Sequence, residues 1–351
     1  MAPPNLALEP QALGQTFAWL DQVGYAELSR WPLFAARCWS PSREHRAWSS
    51  YQNRLCNSEE VAIPWLYWRT VPESLRELFH HLLRGEPNPG WRAPEELSAL
   101  LDPSAQPRWR VIPRFGRYIL ASLSGQTEEN HVYFGDDTLY LMQRARELLA
   151  RLPSTKQLRV LDLCCGGGGV GLALPSFQGS LLGVDVNPSA LELAQAASAA
   201  QGLEHYRYHL GSVEEVIDEP YDLVIGNPPS LPPELGGTAT LYATGAAGRW
   251  LEWLSRLERS LSPQGRLLLT VFSLADGPSG KAHDVVYLQL SRELSRPFCY
   301  TVRRQFPLGA SGWLRHVALE LLPKDESAPQ RFVECATSFD LPALSWRRGG
   351  S

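Results

Sequence analysis

The sequence predicts an α/β fold: a doubly wound, mostly parallel β-sheet preceded by a mainly helical N-terminal domain. Three observations carry this reading. From residue 131 onward, strand-length apolar runs alternate with helix-length segments. Those runs are nearly continuous in Leu, Val and Ile, as in strands buried on both faces, and do not alternate with polar residues. Glycines and polar residues gather where the runs end, which is where open parallel sheets bind ligands.

The first 130 residues read differently. They hold eight of the twelve tryptophans, from Trp19 to Trp109. Short amphipathic helices are expected over 10–23, 26–37, 73–85 and 94–101. In the third, Leu75, Leu78, Phe79 and Leu82 fall at helical spacing on one face. Two apolar runs then flank Phe115-Gly116, which reads as a hairpin. Helices followed by a hairpin suggest a winged-helix-like element, serving either substrate recognition or as a lid. The catalytic part is expected over 131–325. A C-terminal tail follows over 326–351 and reads as partly disordered.

Strands are expected at 158–164, 180–186, 205–211, 221–227 and 265–273, the last preceded by a helix over 246–261. Trp250 and Trp253 sit on that helix as core residues. A late strand is expected over 313–323, with polar and apolar residues alternating.

Composition narrows the function. The chain has 351 residues, 44% of them hydrophobic, which is enough for a large core. The net charge is −4, so there is no global basic field to draw nucleic acid or anionic lipid. A local stripe of Arg108, Arg110, Arg114 and Arg117 keeps nucleic acid open as a less favoured partner. No apolar run reaches the ~18 residues of a membrane span, so no membrane partner is expected. The six cysteines make no C-x-x-C pair, which reads as a reduced, cytoplasmic protein without structural zinc. His80, His81, His283 and His316 read as structural. The sequence does not specify an oligomeric state.

Three strand ends carry the chemistry. After 158–164 comes Asp162-Leu163-Cys164-Cys165-Gly166-Gly167-Gly168-Gly169-Val170-Gly171. Glycines there let a ligand approach the backbone at the start of a helix. Gly166, Gly168 and Gly171 also satisfy G-x-G-x-x-G, so an NAD-dependent oxidoreductase stays open as an alternative. Asp162 argues against it, because a carboxylate before the glycines would repel a pyrophosphate. Asp185 ends the second run, where a carboxylate can accept both hydroxyls of a ribose. Asn187 followed by Pro188 reads as a helix cap. The fourth run ends in Asn227-Pro228-Pro229-Ser230. The prolines fix the backbone. The Asn227 side-chain oxygen and the Pro228 carbonyl then form two adjacent acceptors, suited to an N–H₂ or N–H group.

VLDLCCGGGG, GVDVNP and IGNPPS together resemble three motifs of class I S-adenosylmethionine-dependent methyltransferases. The likeness is nearest to the small-methyltransferase-domain group, which includes HemK-like glutamine methyltransferases and N6-adenine-type enzymes. It covers roughly 131–325 and implies a Rossmann-like sheet. It implies S-adenosylmethionine as cofactor, S-adenosylhomocysteine as product and transfer to nitrogen. On this resemblance Phe134 and Thr138, in the stretch before the domain, line the methionine end. Asp162, Cys164, Gly166 and Gly168 surround the methionine moiety, Asp185 and Val186 the ribose, and Ser212 and Val213 the adenine. Asn227, Pro228 and Pro229 are the implied catalytic residues, and Asn227 also borders the cofactor.

The sequence departs from the group in three places. Cys164 stands where glycine is usual and reads as packing. Ser212 replaces an acidic residue. Ser230 replaces the aromatic that stacks on a planar target, a contact worth ~1–3 kcal/mol per base. Tyr133 or Tyr242 would have to supply a ring. The expected acceptor is therefore a small molecule or an amino-acid-like amine or amide. RNA, DNA or a protein glutamine is the alternative.

Overall fold

The computed structural model describes residues 10–22, 109–122, 132–134, 136–153, 157–231, 249–277, 280–308, 312–324 and 331–333. The helices expected over 26–37, 73–85 and 94–101, His80, His81, Tyr242 and the 232–248 loop lie outside them. The fold is mixed α/β with mostly parallel strand pairing. It divides into two compact units, Met1–Glu215 and Val216–Ser351, so the segment 131–325 is shared between them.

The first unit opens with helix α1 (Pro10–Gln22), the one predicted over 10–23. The hairpin follows as β1 (Trp109–Arg114) and β2 (Arg117–Ser122), with Arg114 opposite Arg117. Its two-residue turn has Phe115 at φ 51° and Gly116 at φ 71°, the left-handed geometry that matches strand twist. Phe115 bears the strain of a non-glycine residue there, and its ring is covered by the Arg146 guanidinium at 4.5 Å. After α2 (Asp136–Leu149) come β3 (Leu158–Leu163), the single turn α3 (Gly169–Leu172), β4 (Gly179–Asp185), α4 (Pro188–Ala200) and β5 (Tyr206–Leu210). Strands β3, β4 and β5 pair in that order, all parallel. Val160, Leu161, Leu163, Leu181 and Val184 are buried, as the unbroken apolar runs require.

The hairpin and α1 pack on α4. Gln201, just past α4, acts as a strand mimic: its Oε1 accepts from Tyr118 N at 2.9 Å and its Nε2 donates to Tyr118 O at 2.8 Å. The Tyr118 ring stacks on Phe17 at 4.7 Å, and its hydroxyl donates to Asp21 at 2.6 Å. Burial first, and then that bond, hold the hydroxyl well above its ordinary titration range. Replacing Gln201 with Leu leaves both backbone groups of Tyr118 without these partners. An expected loss of about 2 kcal/mol follows, to be read from the urea midpoint.

The second unit contains β6 (Tyr221–Gly226), α5 (Arg249–Ser260), β7 (Leu261–Ala275), α6 (Val285–Glu293), β8 (Phe298–Leu308), β9 (Gly312–Leu321) and β10 (Arg331–Val333). Trp250, Trp253, Leu254 and Leu257 recur at i, i+3, i+4 and i+7 on α5 and are buried, as predicted. Strand β7 pairs parallel with β6 and antiparallel with β9; β8 pairs antiparallel with β9 and parallel with β10. The late strand over 313–323 is β9.

Two expectations need correction. Residues 331–333, assigned to a partly disordered tail, form β10, and Phe332 stacks on the buried Tyr300 at 5.6 Å. Strand β8 was not anticipated. Its inward Phe298, Tyr300 and Val302 alternate correctly, but the register shifts between Val302 and Arg304 and breaks the pattern. Beyond β7, buried Asp284 accepts from Ser273, Tyr300 and the Tyr287 N–H and pairs with Arg315 at 3.0 Å. Arg315 also donates to the carbonyls of Gly277 and Gly280, fixing the segment that follows the strand. Among the described residues no helix is long and apolar enough to cross a membrane.

Candidate active site

In the first unit the site is built where β3 runs into its glycine turn. Cys165 N donates to Val184 O at 3.0 Å, which carries the β3–β4 pairing one step past the strand. The chain then reverses. Cys164 has φ 52° and Gly166 φ 53°, so the cysteine occupies a backbone conformation that favours glycine. At Gly167 an added Cβ would run into the Leu120 carbonyl, so the hairpin seats directly on the turn. Among the described residues an added Cβ at Gly166 would meet Val132 Cγ1 alone, at 3.8 Å. That is an open position beside a strand end.

Two carboxylates hold this turn, one at Gly166 and one at Gly171. Asp185 accepts from Gly166 N at 2.8 Å through one oxygen and from Asn187 N at 2.9 Å through the other. The Val186 N–H also bonds this carboxylate; the sites left on its two oxygens are the ones a diol would use. Burial raises its pKa, while the N–H groups of Asn187 and Gly166 pull it back down. Beside it, Val186 is 59% exposed and offers an apolar surface. Asn187 caps α4 as predicted, accepting from Ser189 N at 3.0 Å, with Pro188 at the first helical position.

Asp162 is 1% exposed and accepts from Gly171 N at 2.9 Å. The residue that the resemblance assigns to the methionine moiety is therefore an anchor of the glycine turn. Burial pushes its pKa up to about 8; the Gly171 N–H opposes this and nearby Asp185 adds to it. Raised above its unfolded value, this group stabilises the fold most at low pH, and the contribution is lost as pH rises through about 8. Asp162→Asn keeps an acceptor for Gly171 without the charge. It should flatten a stability slope of at most about 1.4 kcal/mol per pH unit, measured by unfolding between pH 5 and 9. Burial also raises the thiols of Cys164 and Cys165 well above their ordinary range. They stay protonated and are poor nucleophiles, which fits the packing role expected of Cys164.

The segment before the domain lies on this turn. Phe134 is buried with its ring edge 3.7 Å from the Cβ position of Gly169, and Val132 flanks Gly166 and Gly167. Tyr133 is 55% exposed. Thr138 is buried near the start of α2, its N–H bonded to Asp137 at 2.8 Å. After β5, Val213 is buried and Ser212 half-buried. Ser212 N donates to Glu215 Oε1 at 2.9 Å, and the other Glu215 oxygen meets His209 Nε2 at 2.9 Å. Glu215 was not anticipated, although Ser212-x-x-Glu215 is a capping-box spacing and could have revealed it. Glu214 is close enough to Cys164 to help raise its thiol.

In the second unit, fully buried β6 delivers Asn227-Pro228-Pro229-Ser230 at its end. Asn227 Oδ1 accepts from Thr270 Oγ1 on β7 at 2.9 Å. Ser230 is 7% exposed, and its hydroxyl accepts from Phe272 N at 2.9 Å. The serine expected at the acceptor is thus bonded to the neighbouring strand. Thr270 is the residue missed; its sequence signal is a lone hydroxyl in the apolar run LLLTVF. His283 has a partner in Asp276, at 2.8 Å. His316 is buried against Phe272, with ring centroids 5.1 Å apart.

Comparison with known proteins adds to this geometry. The family model described as "Methyltransferase small domain" matches residues 141–235. A release factor glutamine methyltransferase of Deinococcus radiodurans is 31% identical over 142 residues, 38% of this chain and 51% of that protein. An uncharacterised RNA methyltransferase of Streptococcus pyogenes serotype M1 is 32% identical over 89 residues, 24% of this chain and 20% of that protein. The chain thus spans about half or less of the length of these relatives. A SAM-dependent methyltransferase from Agrobacterium tumefaciens of known structure aligns over 62% of this chain and 71% of its own, with TM-score 0.44 and 16% identity. The glycine turn, Asp185 and the Asn-Pro-Pro-Ser end of β6 all fall inside residues 141–235, the span that is similar to the methyltransferase small domain.

Proposed function

We propose that this protein transfers a methyl group from S-adenosylmethionine to the nitrogen of a compact, amino-acid-like acceptor. The observation that carries the reading is the Gly166 N–Asp185 bond at 2.8 Å, which sets a carboxylate suited to a diol beside a glycine whose Cβ position meets Val132 alone among the described residues. These residues fit the cofactor: Asp185 would accept from the ribose hydroxyls, Val186 would lie under an apolar ring, and Gly166 leaves room for the amino-acid chain. Ser212 and Val213 would border the adenine, and Phe134 and Thr138 the methionine end. When bound, S-adenosylmethionine supplies a methyl group already activated on a sulfonium.

The protein's own part is then proximity and orientation. Asn227 Oδ1 and the Pro228 carbonyl would accept the acceptor's N–H bonds, aim the nitrogen lone pair and steady the positive charge that develops on it. Pro228 and Pro229 keep that carbonyl from turning. The proton lost from the product nitrogen passes to solvent. Buried Ser230 puts no ring beside Asn227, which supports an amine or carboxamide over a stacked base. A protein glutamine belongs to the supported class. Residues 131–325 would act as the catalytic part and 1–130 as the substrate-recognition or lid part. We place the protein in the cytoplasm, where Cys164, Cys165 and Cys299 remain free thiols.

The test is methyl transfer from tritiated S-adenosylmethionine to the protein, metabolite and RNA fractions of a bacterial extract. Base-stable label in the protein or metabolite fraction is expected. Label confined to RNA, or none in any fraction, would overturn the proposed acceptor.

A further inference from the structure

We infer that Thr270 is a positioning residue for methyl transfer, holding the Asn227 side-chain amide in the one orientation that presents its oxygen to the acceptor. The inference rests on the role proposed above for Asn227. The parallel β6–β7 register ends with Gly226 opposite Leu269. One step further sets Asn227 beside Thr270, so the two side chains leave neighbouring strands on the same face. Thr270 is 0% exposed, and its hydroxyl donates to Asn227 Oδ1 at 2.9 Å.

An asparagine amide is nearly symmetric in shape, and its terminal torsion is broad. Packing alone discriminates poorly between its oxygen and its NH₂. A buried hydroxyl donor makes that distinction. With Nδ2 turned toward Thr270, its hydroxyl would have to give up donation to Oδ1 and accept instead, leaving its own proton buried without that acceptor. Thr270 is β-branched on a strand and stiff at χ1, so the donor does not wander. One lone pair of Oδ1 is thereby fixed on Thr270, and a carbonyl oxygen has two. Ser230 fixes the far end of the same loop through Phe272 N, so β7 sets both the position of the loop and the orientation of its amide.

The experiment compares Thr270→Val, which keeps the shape and removes the hydroxyl, with Thr270→Ser, which keeps the hydroxyl. Rates are measured with tritiated S-adenosylmethionine on the extract fraction that wild type labels, and S-adenosylhomocysteine affinity by calorimetry. Thr270→Val should lower the rate about 10- to 100-fold, the scale of a small misplacement of a reacting group. Its S-adenosylhomocysteine affinity should be unchanged, its thermal midpoint should fall by no more than about 4 °C, and Thr270→Ser should restore most of the rate. In an Asn227→Ala background the valine change should cost nothing more. Wild-type rate in Thr270→Val, or a full further loss in the Asn227→Ala background, would overturn the role of Thr270 and leave methyl transfer standing. A wild-type protein that binds no S-adenosylhomocysteine would overturn both.

Discussion

Asp185→Ala is expected to weaken S-adenosylhomocysteine binding about 10³-fold, read by isothermal titration. Each hydrogen bond to a charged group contributes about 1.5–3 kcal/mol, and the proposed ribose contact uses two. About 4 kcal/mol in all corresponds to three orders of magnitude. The alanine also releases Gly166 N and Asn187 N, so the glycine turn loses a restraint together with the ligand contact. Helix α4 keeps its own cap, since Asn187 accepts from Ser189 N through its side chain. The loss should therefore show in binding far more than in helicity. Burial raises the pKa of Asp185, and the ionised form is the better diol acceptor. Affinity should accordingly fall on acidification sooner than it would for an ordinary surface aspartate.

Asn227→Ala is expected to lower the transfer rate by 10²-fold or more, the range seen when one fixed polar contact to a developing charge is removed. S-adenosylhomocysteine affinity should stay within about threefold, because the proposed methionine, ribose and adenine contacts come from Phe134, Thr138, the turn after β3, the end of β4 and the segment after β5. A loss of rate with unchanged affinity places the residue in the chemical step. An equal loss of both would make it a cofactor ligand. A wild-type rate would remove it from the reaction.

The residues explain how far the sequence could be read. Strands β3, β4 and β6 were legible because each is a short apolar run closed by Gly, Asp or Asn, and buried parallel strands tolerate little else. Asp185 and Asn187 were legible together, since the cap and the preceding carboxylate are two steps apart in the chain. Asp162 was found but its direction was not. Only the fold shows that its carboxyl meets Gly171 and lies buried. Ser230 and Thr270 mark the same limit: whether a hydroxyl faces a ligand or a neighbouring strand depends on the pairing of β6 with β7, set by residues some forty positions apart. Gln201 was invisible for the same reason, being bonded to Tyr118 across 83 positions. The three-residue strand β10 is too short to carry any periodicity.

The glycine turn also satisfies the dinucleotide fingerprint, so the central claim is tested most directly by titrating the wild-type protein with S-adenosylhomocysteine and with NAD under the same conditions. Saturable binding of S-adenosylhomocysteine at one site per chain, and no heat with NAD, is the expected result. Saturable binding of NAD, with none of S-adenosylhomocysteine, would contradict it.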